Sequence, residues 1–295
     1  SAEHKRYIFD LQEMIISHLT DVEEEPADEE AIRVAIVGRP NVGKSSLLNF
    51  LAGEERALVS DIPGTTRDAL DTMVSINGVS FNFIDTAGMR RKSRIDGDIE
   101  YYSLVRTLQA VDRSDVVLLV MDSGEPFTDQ DKKLASHVIE RGKGIITVLN
   151  KWDLLGSDSK LGDKMKKRFR DEMVFLHYAP ILFVSALTGR GMNKLPDAIV
   201  RVEENRERRI GTTLLNRLVR DVLAFDSLPA SRKGKALKMY YCTQAGVKPP
   251  TFVFFVNDSE LASKSFENHI EKELRGLGEF SGTPMRIFWR EKDEK

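Results

Sequence analysis

Short apolar runs and helical stretches alternate along the chain from Ile32 to about Glu204. The apolar runs fall at residues 32–37, 80–84, 116–121, 145–149 and 181–184, several of them nearly continuous in Val, Ile and Leu. Between most of them lie helical patterns at residues 44–51, 98–111, 129–140, 163–175 and 194–202. Strands of this kind separated by helices predict a doubly wound, mostly parallel sheet covered on both faces, an α/β fold. Residues 72–76 and 80–84, joined through Asn77-Gly78, predict a hairpin at the edge of that sheet.

After about Ile210 the order changes. A helix is predicted over 213–224, β-rich runs over 236–243 and 251–256 with a Gly/Pro loop between, an amphipathic helix over 263–274 and a last strand over 285–290. This α-β-β-α-β order predicts a small α+β domain, with the boundary within residues 205–211. A length of 295 residues is enough for two domains that each bury a core. There is also an internal repeat. Ser1-Ala2 is followed by Leu11 and Ile15, and Ser185-Ala186 by Leu195 and Ile199, at the same offsets on a helical pattern.

Composition adds compartment and charge. With 41% hydrophobic and 31% charged residues the chain reads as soluble and globular. No apolar run is long enough to span a bilayer and no signal pattern opens it, so no membrane association is expected and the cytoplasm is the expected location. The single cysteine, Cys242, reads as a small buried strand residue, and the five histidines show no metal-ligand spacing. The net charge of −2 hides an asymmetry. Residues 21–30 hold seven acids and no base, the pattern of a solvated linker, whereas residues 201–240 hold ten Lys/Arg against five acids. The basic stretch is a candidate nucleic-acid face, although charged surface helices alone can look the same.

The candidate chemistry begins at residues 38–45, Gly-Arg-Pro-Asn-Val-Gly-Lys-Ser, after one predicted strand and at the start of a helix. In that setting Gly38, Asn41, Val42, Gly43, Lys44, Ser45 and Ser46 form a phosphate cradle. Glycines let backbone N–H groups turn toward the phosphates, and the helix N-terminus adds positive potential. Lys44 is expected on the β- and γ-phosphates, and Ser45 on Mg²⁺. Asp85, at the end of the next strand, is expected to hold Mg²⁺ through a water, and the Gly88 N–H to sense the γ-phosphate. Between them, Thr66 is the favoured threonine to complete the Mg²⁺ shell, with Thr65 as the alternative. Asn150-Lys151-Trp152-Asp153 then selects the base. The Asp153 carboxylate can accept from N1–H and the exocyclic amine of guanine, where adenine offers no such pair; a site of this kind discriminates by roughly 10⁴-fold or more. Lys151 is expected to pack along the base and Asn150 to tie loops together, with Ser185, Ala186 and Leu187 supplying a backbone N–H. GTP and GDP are therefore the expected ligands. An ATPase or kinase reading is opposed by Asp153.

The residue after Gly88 is Met89, which cannot orient an attacking water as a glutamine does in Ras-like enzymes. Here the loop, with Asn41, resembles GTPases of the TrmE–Era–Der class, a resemblance that implies K⁺ bound with help from Asn41. The resemblance narrows further. Residues 85–92 (Asp-Thr-Ala-Gly-Met-Arg-Arg-Lys), Tyr102-Ser103, Arg106-Thr107-Leu108 and the tryptophan of 150–153 resemble the second G domain of the Der (EngA) family. That family carries two G domains joined by an acidic linker and followed by a KH-like domain. The resemblance implies a remnant of a first G domain at 1–20, a linker at 21–30, a GTPase domain at 31–205 and a KH-like domain at 206–295. It implies a GTP-hydrolysing switch in assembly of the bacterial large ribosomal subunit, with rRNA and ribosomal proteins as partners and the first G domain as an intramolecular one. A monomer is expected.

Basic clusters at Arg90, Arg91, Lys92 and Arg94 and at Arg232, Lys233, Lys235 and Lys238 fit phosphate contacts. The bland alternative is that the first of these pairs with acids of the first G domain or of the linker. No two glycines after Gly211 are three apart, so the Gly-x-x-Gly clamp of RNA-binding KH modules is missing. The domain is then expected to be a docking surface, for the other G domain or for ribosomal protein and rRNA. An Era-like GTPase with a KH domain, its nucleotide domain acting mainly as a tether, is the alternative; the missing clamp and the repeat count against it. Asn41 set against Met89 gives a direct expectation: GTP hydrolysis runs faster in K⁺ than in Na⁺ at matched ionic strength, and equal rates would remove the ion from the mechanism.

Overall fold

The computed structural model describes residues 31–53, 71–86, 99–156, 160–225, 229 and 236–292. Six strands among these form one sheet in the order β2-β3-β1-β4-β5-β6. They are β1 (Ile32–Val37), β2 (Thr72–Ile76), β3 (Val79–Phe83), β4 (Val116–Asp122), β5 (Gly144–Asn150) and β6 (Ile181–Phe183). All neighbours pair in parallel except β2 and β3. That pair is the expected hairpin: Asn77 and Gly78 both take positive φ, 53° and 81°, which the turn between two right-twisted strands requires. β2 is the edge strand, so the hairpin lies at the sheet edge as expected.

The runs of Val, Ile and Leu become the centre of the sheet. Every residue of β5, and all of β4 but the last, is buried, because helices cover both faces. One layer packs Ala135 and Val138 of α3 (Asp129–Glu140) and Met165 and Phe169 of α4 (Leu161–Glu172) against Leu119, Met121 and Leu149. The other packs Leu47, Leu48 and Leu51 of α1 (Lys44–Gly53) and Ile199 and Val202 of α5 (Leu195–Glu207) against Val34, Leu118 and Val148. α2 (Ile99–Arg113) joins the first layer through Ala110 and Val111. The helix predicted over 163–175 stops earlier. Met173 leaves helical geometry (φ −119°, ψ 48°), and Val174–Leu176 form a separate 3₁₀ turn, so that Met173 and Leu176 both reach the core.

A second sheet, β7 (Met239–Gly246), β8 (Thr251–Val256) and β9 (Arg286–Glu291), has the order β7-β8-β9. Its β7 begins three residues later than predicted, with Ala236 making only an isolated bridge. α6 (Thr212–Phe225) and α7 (Lys264–Leu277) cover one face, through Leu215, Val219, Ile270 and Leu274 on Phe252, Phe254 and Val256. The α-β-β-α-β order matches the pattern read from the chain. Cys242 is fully buried in β7, and burial pushes its thiol up to about 12. No helix among the described residues is long and apolar enough to cross a membrane.

The described residues from Ile32 onward belong to one compact unit, and a specific set of bonds joins the two sheets. The Ile145 N–H, at the start of β5, donates to the Gly282 carbonyl at 2.7 Å, and the Gly282 N–H donates to the Tyr178 carbonyl at 2.9 Å. The guanidinium of Arg275 lies 4.1 Å from the centre of the Tyr178 ring. Asn205 Nδ2 donates to the Ser281 carbonyl, and the Lys248 N–H to the Arg206 carbonyl, both at 3.0 Å. Arg206, 3% exposed, is held between Glu203 and Asp115. Burial works against the Asp115 carboxylate, but the bonds and charge of Arg33 outweigh it and hold its pKa below the ordinary value. The acidity of Asp115 in turn keeps the buried arginine neutralised.

Gly282 is the tightest point of this junction. Its φ is +77°, and an added Cβ would lie 2.3 Å from Val202 Cγ2 and 3.2 Å from the Ile145 carbonyl oxygen. Gly282→Ala is expected to destabilise the chain by roughly 1–3 kcal/mol, read as a lower urea midpoint. Gly276→Ala, on α7 with open space around it, is expected to leave the midpoint unchanged or raise it.

Candidate nucleotide site

Parallel strands end along one rim of the large sheet, and each delivers its loop there. β1 runs directly into the loop 38–43, which opens α1 at Lys44. The backbone there needs residues that tolerate positive φ. Gly38 (152°), Asn41 (63°) and Gly43 (95°) supply it. A Cβ on Gly38 would sit 2.2 Å from the Val120 carbonyl oxygen, and one on Gly43 2.2 Å from Asn150 Nδ2. The two glycines are thus the points where the loop touches β4 and β5. Lys44 folds its ammonium back over the loop, donating to the carbonyls of Gly38 at 2.9 Å and Arg39 at 2.6 Å. Val42 packs into the core, while Asn41 and Ser46 are exposed and Ser45 lies in the first turn of α1.

Asn150, at the last position of β5 and 2% exposed, joins three loops. Its Nδ2 donates to the Val42 carbonyl at 2.8 Å, and its Oδ1 accepts from the Ala186 N–H at 3.0 Å. Its carbonyl accepts from Ser123, through the backbone N–H at 2.9 Å and Oγ at 2.6 Å. The phosphate loop, the end of β4 and the loop after β6 therefore share one side chain and its peptide. Lys151 follows in left-handed geometry, φ 62°, and its ammonium meets Asp122 Oδ2 at 2.7 Å. Burial opposes charge on Asp122, but Lys151 and the Gly124 N–H hold its pKa below the ordinary value. The lysine stem is thereby extended along the rim. Trp152 is buried against Phe183, ring centres 4.3 Å apart, and its N–H donates to the Val184 carbonyl. Asp153 Oδ1 is buried and has no hydrogen-bond partner among the described residues. A buried acceptor in that state calls for a donor, and the N1–H and amine of guanine are such donors.

The loop after β6 holds a tighter position than its sequence suggests. Ser185 is fully buried; its N–H donates to the Arg190 carbonyl, and its Oγ accepts from the Thr188 N–H. The Ala186 N–H is committed to Asn150 Oδ1, so a base oxygen would compete with that bond. The Leu187 side chain is 85% exposed. On the phosphate side, Asp85 has φ 54°, and its N–H donates to Asp71 Oδ1 at 2.9 Å, while Asp71 is paired with Arg113. Thr86 is buried and shares a hydroxyl bond with Thr72 at 2.6 Å. A hydroxyl on Ser45 and a carboxylate on Asp85 are hard oxygen donors of the kind Mg²⁺ takes. Thr65, Thr66, Gly88 and Met89 lie outside the described residues.

Three supports escaped the sequence. Arg39 reaches out of the phosphate loop to Glu125, Nη1 to Oε2 at 3.1 Å, and to Asp131 at 3.3 Å. Asp131 also closes the capping box of α3 with Thr128, so this contact fixes the loop to a helix start. Asp122 and Ser123 are the others. Asp122 sits opposite Asn150 in the β4–β5 register, and a lone carboxylate at the end of an apolar strand is the signal that would have found it.

A phosphate cradle opening a helix, with an unpartnered carboxylate oxygen near an asparagine that ties the loops, marks a P-loop GTPase. Two family models match in series. One, described as a 50S ribosome-binding GTPase, covers residues 33–151; the other, described as the KH-domain-like C-terminal part of EngA bacterial GTPase enzymes, covers 209–290. The GTPase Der of Desulfitobacterium hafniense is 50% identical over 295 residues, 100% of this chain and 67% of that protein. That of Halothermothrix orenii is 47% identical over 292 residues, 99% of this chain and 66% of that protein. The chain belongs to the Der family, and its reaction is the hydrolysis of GTP. It spans about two thirds of the length of these relatives. A solved structure of Era from Aquifex aeolicus, bound to GDP and AlF₄⁻, is 21% identical with a TM-score of 0.43, over 89% of this chain and 93% of that one.

Asp153→Asn is the direct test of base selection. Replacing the acceptor by an amide removes the charged bonds to guanine, and GTP affinity is expected to fall roughly 100-fold or more. Xanthosine triphosphate, which offers a carbonyl in place of the amine, is expected to gain. Fluorescent nucleotide titrations compare the two; unchanged GTP affinity would take Asp153 out of the site.

Proposed function

We propose that this chain is a GTP-dependent switch in the assembly and maturation of the bacterial large ribosomal subunit, acting in the cytoplasm as a monomer. The observation that carries the reading is the joint match of the two family descriptions, a 50S ribosome-binding GTPase followed by the EngA KH-like region. In this reading residues 31–205 bind and hydrolyse the nucleotide and residues 206–295 dock on the particle. Residues 1–20 and 21–30 are assigned to the end of a first G domain and an acidic linker, with that first domain as the intramolecular partner.

The phosphates lie on the N–H groups of 41–46, with Lys44 on the β- and γ-phosphates. Asn150 holds the loop against the base site, and Lys151 and Asp153 hold the guanine. Ser45, Thr66 and, through a water, Asp85 are assigned to Mg²⁺, which when bound neutralises charge on the phosphate oxygens. Asn41, exposed at the crest of the loop, is assigned to K⁺. The Gly88 N–H is assigned to the γ-phosphate, as the group whose loss of contact reports hydrolysis.

The geometry supports coupling between the two parts. β5 carries Asn150 at one end and bonds Gly282 through Ile145 at the other. A strand buried along its whole length is a stiff connection. Co-sedimentation of the chain with large ribosomal subunits is the test. Binding is expected to differ between GTP-analogue and GDP states and to fall steeply with salt. Equal binding with GTP analogue, GDP and no nucleotide would favour a tethered RNA-binding module instead.

A further inference from the structure

We propose that the uncovered face of the β7-β8-β9 sheet is a stacking platform for single-stranded RNA. The inference rests on the ribosomal reading above and names the chemistry of the surface. Helices α6 and α7 cover one face of this sheet only. Alternation sends Tyr241 and Thr243 of β7, Val253 and Phe255 of β8, and Phe288 and Arg290 of β9 to the other face. Register sets them in two rows: Tyr241 opposite Phe255 and Phe255 opposite Arg290, then Thr243 opposite Val253 and Val253 opposite Phe288.

Aromatic residues at these outward positions remain in water. Phe288 is 52% exposed and Tyr241 39%. Tyr241 stacks on Phe255 with ring centres 4.3 Å apart and planes within 16°, so each ring spends one face on the other and keeps one for a further ring. At the end of the sheet Lys292 lies 5.2 Å from the ring of Tyr240, which is itself 42% exposed. Cations accompany the rings: Arg290 beside Phe255, Lys292 beyond it, and Arg286 at the far end, where it also reaches the Glu140 carbonyl. The acid of β9, Glu291, points by alternation to the other face and accepts from Ser259.

Rings on a sheet with arginine and lysine at their margin match bases and phosphates together. A purely apolar protein partner would leave Arg290 and Lys292 without a counter-charge at the interface. The arrangement also bypasses the missing Gly-x-x-Gly clamp, since a platform recognises base faces rather than gripping the backbone with a loop.

The probe is a fluorescein-labelled oligoadenylate RNA of about ten nucleotides, with a duplex of the same length as control, added to the 295-residue chain. Anisotropy is expected to show preference for the single strand. Phe288→Ala and Tyr241→Ala are each expected to weaken it roughly 5- to 100-fold, and Phe288→Trp to retain it. Arg290→Ala is expected to lower the salt slope by about 1. GTP binding and circular dichroism should be unchanged in all four, which separates lost stacking from lost folding.

Wild-type affinity in both alanine variants would overturn the proposal, as would equal binding of duplex and single strand. Concentration-dependent self-association abolished by Phe288→Ala, without RNA binding, would make the face a contact between copies and overturn it too. Oligoadenylate binding that depends on the rings while ribosomal particles are ignored in every nucleotide state would sink the ribosomal reading and leave the platform standing. Nucleotide-dependent particle binding that survives both alanine variants, with no ring-dependent oligonucleotide binding, would do the reverse.

Discussion

One buried amide holds the candidate site together. Asn150 spends its donor on the phosphate loop and its acceptor on the loop after β6, and its own carbonyl takes Ser123. A side chain that is almost fully buried cannot exchange these bonds for water, so leaving any of them unmade would cost about 1–3 kcal/mol. The neighbouring choices follow from it. Position 43 must be glycine because the amide occupies the place of a Cβ.

The same strand bears on the relation between the two sheets. β5 lies between β4 and β6, and near its start the Ile145 N–H meets the small domain in a backbone bond to the Gly282 carbonyl. With the Gly282 N–H bonded to the Tyr178 carbonyl as well, one glycine of the small domain is tied to two places in the large one. The ionic cluster of Arg206, Asp115, Glu203 and Lys248 adds orientation more than strength, since Lys248 is well exposed and its pairs are screened. Arg206 is different, because a buried guanidinium stripped of its acids would be strongly unfavourable.

On the open side of the small sheet the constraint runs the other way. Two helices satisfy one face, while the other leaves Tyr241 and Phe288 exposed. Tyr241 and Phe255 cover part of each other, which limits the apolar area shown to solvent, while Arg290 and Lys292 add charge beside them.

Period and punctuation in the chain were enough for the architecture. Val/Ile/Leu runs separated by helical patterns dictated a parallel sheet, Asn77-Gly78 dictated the hairpin, and the glycine spacing at 38 and 43 with Lys44 dictated a phosphate loop, because each is a local requirement of backbone geometry or charge. Tertiary structure alone decided what depends on distant partners. Asp122, Ser123 and Arg39 gained their roles only when β4 came to lie beside β5 and the helix start at Thr128 beside the phosphate loop. The close fit of Gly282 against Val202 and the shared face of Tyr241, Phe255 and Phe288 were likewise invisible in the chain. A contact between residues far apart in sequence has no local signature; register and packing create it.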